Sequence, residues 1–388
     1  MKPLAVFFSL IISVVFWGCN SSSTSPNNAG YVTLLGNDTL AVEQFEKSDY
    51  GVMAKVVLRS PRTSFTSYQL KTSNNGGIEE LTVTEHELDK GFSSDGKITR
   101  SYKKSGDSLV VSVRTNDDSF RIIKTKYESG ILPFIDMVHW PFEIAFNNAA
   151  KSSADSIDQK LVTGNRASTF VVAKIDADSM TIRHPSRGVM GVNVDDQGNI
   201  LALDASETTR KLLVKRVYDL DIEKVAEKFA KSDKNGNPFG SLSGAIEEEF
   251  TIGDAVFNVS YGSPQRRGRD LFGGIVPFGQ RWRTGANSAT HFKTSEDLKF
   301  GTVSMPAGEY TLFTIPEKDG GTLIINKQTG QNGRTYDESR DLGRVPMQVS
   351  KKEENTEGFT IEVAENGEGG VLKLIWGNTV YSVDFEIM

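Results

Sequence analysis

The chain of 388 residues reads as β-dominated, with an N-terminal antiparallel half-barrel carrying a helical plug and a C-terminal β-sandwich. Three observations predict this. Short alternating runs bounded by Gly, Asn and Asp turns fill the first half, which is the pattern of antiparallel strands with one wet face. One long apolar stretch, 131–146, interrupts them. A second set of strand-like runs then occupies 248–388, too many for one open layer.

Taken in order, the chain opens with Lys2, an apolar run from Leu4 to Trp17 broken by Ser9 and Ser13, Gly18, and Cys19, the one cysteine present. A charged start, a short apolar core and a small residue at the cut form an export signal too short to span a bilayer as a mature helix. A disulfide would need a second cysteine, so a lone thiol at the first mature position points to lipidation. The expectation is a lipoprotein of the bacterial cell envelope, anchored at Cys19 to the outer membrane on its periplasmic or surface side. Phe16 and Trp17 stand where such signals usually carry Leu and a small residue. Residues 19–30 are polar and without periodicity, as expected of a flexible tether.

The half-barrel is assigned to 31–232. Runs at 51–58, 64–71, 79–85, 98–103, 108–114 and 120–127 alternate, and turns at Asn74-Asn75-Gly76-Gly77, Ser94-Asp95-Gly96 and Ser105-Gly106-Asp107 supply positive φ. Pairing resumes at 168–175, 179–184, 187–194 and 199–205, the last two joined by Asp195-Asp196-Gln197-Gly198-Asn199. Pro133 and Pro141 divide the apolar stretch between the two sets into two short helical pieces. That stretch is either core or the lining of a hydrophobic ligand cavity. The order of meander, apolar helices and hairpins resembles the half-barrel of periplasmic lipoprotein-carrier proteins. An amphipathic helix follows at 219–232, where Ile222, Val225, Ala226 and Phe229 share one face and Glu227–Lys231 is a favourable pair. Lys234-Asn235-Gly236-Asn237-Pro238-Phe239-Gly240 breaks it, so 233–247 reads as the linker.

In the C-terminal part about eight strands are expected, and two facing sheets would bury them economically. Residues 263–290 interrupt the strands with a loop rich in Gly, Pro and Arg. Ser263-Pro264, Arg267-Gly268-Arg269, Phe272 to Gly279, Trp282 to Asn287 with Ala289-Thr290, Pro306 to Pro316, and the closing Trp376 to Thr379 closely resemble bacterial domain-of-unknown-function family 2911. The resemblance implies a β-sandwich and no established activity.

Chemistry is sparse. The chain lacks a Gly-x-Ser-x-Gly elbow, a His-Glu-x-x-His pair, a phosphate loop and a cysteine ligand, and its four histidines have no ligand spacing, so neither metal nor cofactor is expected. A net charge of -6 argues against nucleic acid as a partner. Against that background, Arg266, Arg267, Arg269, Arg281, Arg283 and Lys293 face one acid, Asp270, between residues 263 and 293, a local excess of +5 (6 minus 1). Guanidinium forks suit carboxylate, phosphate or sulfate. Two readings stand. Either the arginines pair with acids of the same domain, such as Asp297, Glu309, Asp341, Glu362 or Asp384, or they bind an anionic or sugar ligand. On the second reading Trp282, Arg283, Asn287, Arg269 and Arg267 are the contact residues, with a small molecule, lipid or glycan as ligand. A non-enzymatic ligand- or partner-binding lipoprotein ranks first. The alternatives are a hydrolase acting on glycans or esters and a structural or assembly component of the outer membrane.

Overall fold

A computed structural model describes residues 28–388 apart from Ser94 and Glu368, so Cys19 and the export signal lie outside the described residues. The first fifteen strands are β1 (Asn28–Leu35), β2 (Asp38–Ser48), β3 (Gly51–Leu58), β4 (Ser64–Thr72), β5 (Ile78–His86), β6 (Lys97–Ser105), β7 (Ser108–Arg114) and β8 (Phe120–Lys126), then β9 (Leu132–Pro133), β10 (Ser156–Thr163), β11 (Arg166–Lys174), β12 (Ser179–His184), β13 (Gly188–Val194), β14 (Ile200–Asp204) and β15 (Leu212–Val217). They form one sheet in the order 8-7-6-5-4-3-2-1-15-14-13-12-11-10-9, two meanders fused where β1 pairs with β15.

Helix α1 (Trp140–Lys151) lies on one face of this sheet. Its Trp140 ring is 5.9 Å from Tyr68 on β4, and its Phe142 ring is 5.9 Å from Phe170 on β11. Those strands are eight places apart in the sheet, roughly 38 Å if the sheet were flat. A helix about 10 Å across can touch both only if the sheet curls around it. Helix α2 (Ile222–Lys234) covers the opposite face, packing Ile222, Ala226, Phe229 and Ala230 against Val42, Val57 and Phe65. Strand β2 is therefore covered on both sides, which explains its unbroken buried run from Leu40 to Glu43.

The second sheet comprises β16 (Ser243–Ile252), β17 (Ala255–Pro264), β18 (Thr290–Thr294), β19 (Leu298–Phe300), β20 (Val303–Met305), β21 (Gly308–Glu317), β22 (Gly320–Asn326), β23 (Asp341–Asn366) and β24 (Gly369–Ile387), in the order 16-17-18-21-22-23-24-19-20. Phe257 on β17 and Phe385 on β24 are five strands apart along that order, yet their rings are 5.6 Å apart. The sheet therefore folds over on itself as two facing layers.

Several sequence expectations need correction. Residues 28–30 belong to β1 rather than to a tether, because they pair with Glu46, Phe45 and Gln44 of β2. The apolar stretch holds one helix, not two: Pro141 occupies the first turn of α1, where its missing N–H costs nothing, and Leu132–Pro133 pairs with β10. The amphipathic helix starts at Ile222, capped by Asp221, which accepts from the Lys224 N–H. Residues 243–247 leave the linker for β16, since they pair with 260–264 of β17. Strand β23, at 26 residues, is far longer than the short strands expected. Its polar middle carries two register shifts, while Val345 and Met347 still alternate into the core.

Candidate functional site

The two sheets meet through the arginine-rich loop. The Arg267 backbone carbonyl accepts the Asn37 N–H at 3.0 Å. Its guanidinium donates to Asp38 at 2.9 Å and to the Phe239 carbonyl at 2.7 Å, and lies 3.6 Å over the Phe239 ring. The approach is close enough that Gly36, at φ 62°, has no room for a side chain: a Cβ there would sit 2.0 Å from the Arg267 carbonyl oxygen. Arg267, expected to touch ligand, is instead a rivet between the sheets.

Beside this rivet runs a cleft of about 530 Å³. Four of the five expected contact residues, Trp282, Arg283, Asn287 and Arg269, line one wall, with Trp376 behind Trp282 as a parallel ring at 6.1 Å. The opposite wall comes from the N-terminal sheet: Arg187, Arg210, Lys211, Thr208 and Glu207. The sequence could not pair these with the loop across 58 to 100 residues of chain.

None of the acids expected to neutralise the loop does so among the described residues. Asp341 takes Arg344 and Tyr336, Asp384 takes Asn366, and Glu309 lies near His291. Arg269 donates to the carbonyls of Gln265 and Arg266, and Arg283 makes only a long bond to the Gly285 carbonyl at 3.4 Å. Arg281 lies over Tyr336, away from the cleft, and Arg266 donates to Asn355. Burial, with Arg267 nearby, pushes the Arg269 guanidinium down to about 10, and burial with Arg334 lowers that of Arg283. Both are desolvated cations without an acid in contact.

The far wall has the same sign. Asp136 binds Arg187 at 2.5 Å and also Arg210. Burial alone would raise its carboxyl, but the two guanidinium groups outweigh that and hold it below the usual carboxylate range. His184 is pushed down to about 4, first by burial and then by Arg187, with Arg210 and Arg334 adding to it, so it is neutral at pH 7. Five basic residues against Glu207 and the neighbouring Asp136 leave a local excess of +3 (5 minus 2).

Backbone strain concentrates here too. Seven non-glycine residues among those described have positive φ; three of them, Met137, Lys211 and Asn287, line the cleft or its neighbouring pocket, and Thr284 sits between the lining residues Arg283 and Gly285. Thr284, β-branched and fully buried at φ 55°, is the least comfortable of these. It is held by Thr314 and by the Thr290 hydroxyl, and it aims Arg283 into the cleft. Strain held in this way marks functional loops more often than core.

The N-terminal sheet holds a separate buried cluster. Glu43 accepts the N–H groups of His139 and Trp140 and the His139 ring, so it caps α1 from a neighbouring strand. Glu143 accepts from Tyr31, from Arg216 at 2.6 Å and from the Ile200 N–H, and pairs with Lys47 at 2.7 Å. Both carboxylates are fully buried and neither lines the cleft. The cluster fixes α1 to the sheet.

Residues 243–385 match the family model described as protein of unknown function (DUF2911). Comparison with curated proteins finds no match. Among solved structures, the crystal structure of a DUF1089 family protein from Pseudomonas aeruginosa is similar at 10% identity, covering 43% of this chain and 91% of the other with a TM-score of 0.30. A structure from work on the cell entry of botulinum neurotoxin type C is similar at 11% identity, covering 92% of this chain and 84% of that one with a TM-score of 0.11. The C-terminal domain is thus of the unknown-function family its motifs resemble.

Proposed function

We propose that this protein is a ligand-binding lipoprotein of the bacterial cell envelope, holding an anionic small molecule in the cleft between its two sheets. The observation that carries the reading is the pair Arg269 and Arg283, desolvated, facing a cleft and touching no carboxylate. A partly desolvated cation gains from a partner, and a bound carboxylate, phosphate or sulfate would supply it. Trp282 and the Asn287 amide add a surface suited to a sugar ring or a carboxylate. Among the described residues Glu207 is the one carboxylate lining the cleft, which supports binding rather than the paired acids of glycoside cleavage.

Titration calorimetry with glucuronate, inorganic phosphate and sulfate tests this. Arg283→Ala and Arg269→Met should each weaken the binding probe about tenfold or more, since a hydrogen bond to a charged group is worth about 1.5–3 kcal/mol. Arg283→Ala should leave thermal stability nearly level, because no carboxylate is stranded, whereas Arg269→Met gives up its bonds to the Gln265 and Arg266 carbonyls and should lose about 1–3 kcal/mol. Variants that bind all three probes as the parent does would overturn the reading.

The envelope assignment rests on Cys19 and is tested separately. Cys19→Ala should remain unacylated and move from the membrane fraction to the soluble envelope fraction. Fatty acid still attached to the variant would refute it.

A further inference from the structure

The two sheets have four outer edges, and they are not alike. β9 is two residues long and β20 three, too short to template another strand. The other two edges are long. β8, Phe120–Lys126, carries Arg121, Lys124 and Lys126 and no acid. β16, Ser243–Ile252, carries Glu247, Glu248 and Glu249 and no base. All six charged side chains are exposed, and so are Phe120 and Ile122, at 42% and 55%. Each strand pairs on one side alone among the described residues, β8 with β7 and β16 with β17.

Charges on an edge strand ordinarily keep copies apart. Here they do so selectively. Two β8 edges repel and two β16 edges repel, whereas an antiparallel ladder of β8 on β16 can set Lys124 and Lys126 directly opposite Glu249 and Glu247 on one face. Cross-strand pairs of opposite charge are favourable and like pairs are not. Among the described residues neighbouring Arg114 and Lys97 pair with Asp118, but Arg121, Lys124 and Lys126 have no acid in contact, and on β16 Glu249 accepts only the Asn258 amide.

We infer that the β8 edge of one copy docks on the β16 edge of another, so that the protein associates with itself head to tail through a continued sheet. The contact uses two different surfaces, so it is heterologous and grows into chains or closed rings rather than stopping at a symmetric dimer.

Sedimentation velocity of the purified protein should show concentration-dependent species larger than the monomer. They should shrink as salt rises, since exposed pairs are screened over about 10 Å at 0.1 M. Lys124→Glu with Lys126→Glu makes both edges acidic, and Glu247→Lys with Glu249→Lys makes both basic. Each double variant alone should be monomeric. Mixing the two restores opposite charges at every junction and should restore the larger species, which also shows that both remain folded. A parent protein that stays monomeric at all concentrations overturns the inference. So does assembly unaffected by either double variant, or a mixture that stays monomeric.

Discussion

Glu143→Ala should cost about 3–5 kcal/mol of stability, the range for removing one partner of a buried ion pair. The side chain is fully buried and holds two cations, Arg216 at 2.6 Å and Lys47 at 2.7 Å. The Arg216 side chain is itself only 6% exposed, so truncating Glu143 leaves a guanidinium in the protein interior with the Ile200 carbonyl as its remaining strong acceptor. Tyr31, whose hydroxyl burial and the nearby Glu143 charge keep protonated well past its usual range, loses its acceptor at the same time. Urea denaturation of parent and variant measures the difference. The double variant Glu143→Leu with Arg216→Leu removes the two most buried charges, leaving Lys47, 19% exposed, on Asn147 and Asn199, and should recover much of the loss, since apolar replacement of a buried pair is often tolerated. A Glu143→Ala loss below about 1 kcal/mol, the usual value for an exposed pair, would show that the cluster is solvated and does not fix α1.

The fate of that cluster shows what the sequence could and could not disclose. Strands β3, β7 and β12 were legible because alternation and flanking turns are local signals. Glu143 was not legible as a clamp. It sits in an apolar run where a single acid reads as the wet side of a helix, and its partners Tyr31, Lys47 and Arg216 lie 73 to 112 residues away or on another meander. The arginine loop was legible as an anomaly, because charge density is also local. What the anomaly meant depended on placement. Asp38 and Phe239, which hold Arg267, come from the other sheet and the connection, so no acid within the same domain could have been the right partner. Arg187 and Arg210 were invisible for the same reason. They are ordinary turn residues until the folded chain sets them opposite Arg269 and Arg283.

Arg267→Ala should loosen the two sheets from one another while leaving each folded. The side chain is 9% exposed and makes three contacts of different kinds: an ion pair with Asp38, a hydrogen bond to the Phe239 carbonyl, and stacking on the Phe239 ring. Asp38 is half exposed, so its pair contributes the smaller share. A desolvated cation–π contact is worth about 2 kcal/mol and a charged hydrogen bond about 1.5–3 kcal/mol, which places the loss at roughly 3.5–5 kcal/mol before relaxation. Because these contacts join the sheets rather than build either core, the loss should appear as exposure of residues 235–242, between α2 and β16. Limited proteolysis should cut the variant there much faster than the parent and release a C-terminal fragment that keeps its own near-ultraviolet tryptophan signal. Arg267→Lys, which keeps the charge but loses the flat fork, should fall between the two. The cleft is walled by both sheets, so ligand affinity should drop in Arg267→Ala although Arg267 does not line it. If the variant resists cleavage at 235–242 as the parent does, the sheets are held by something other than this side chain, and the rivet assignment fails.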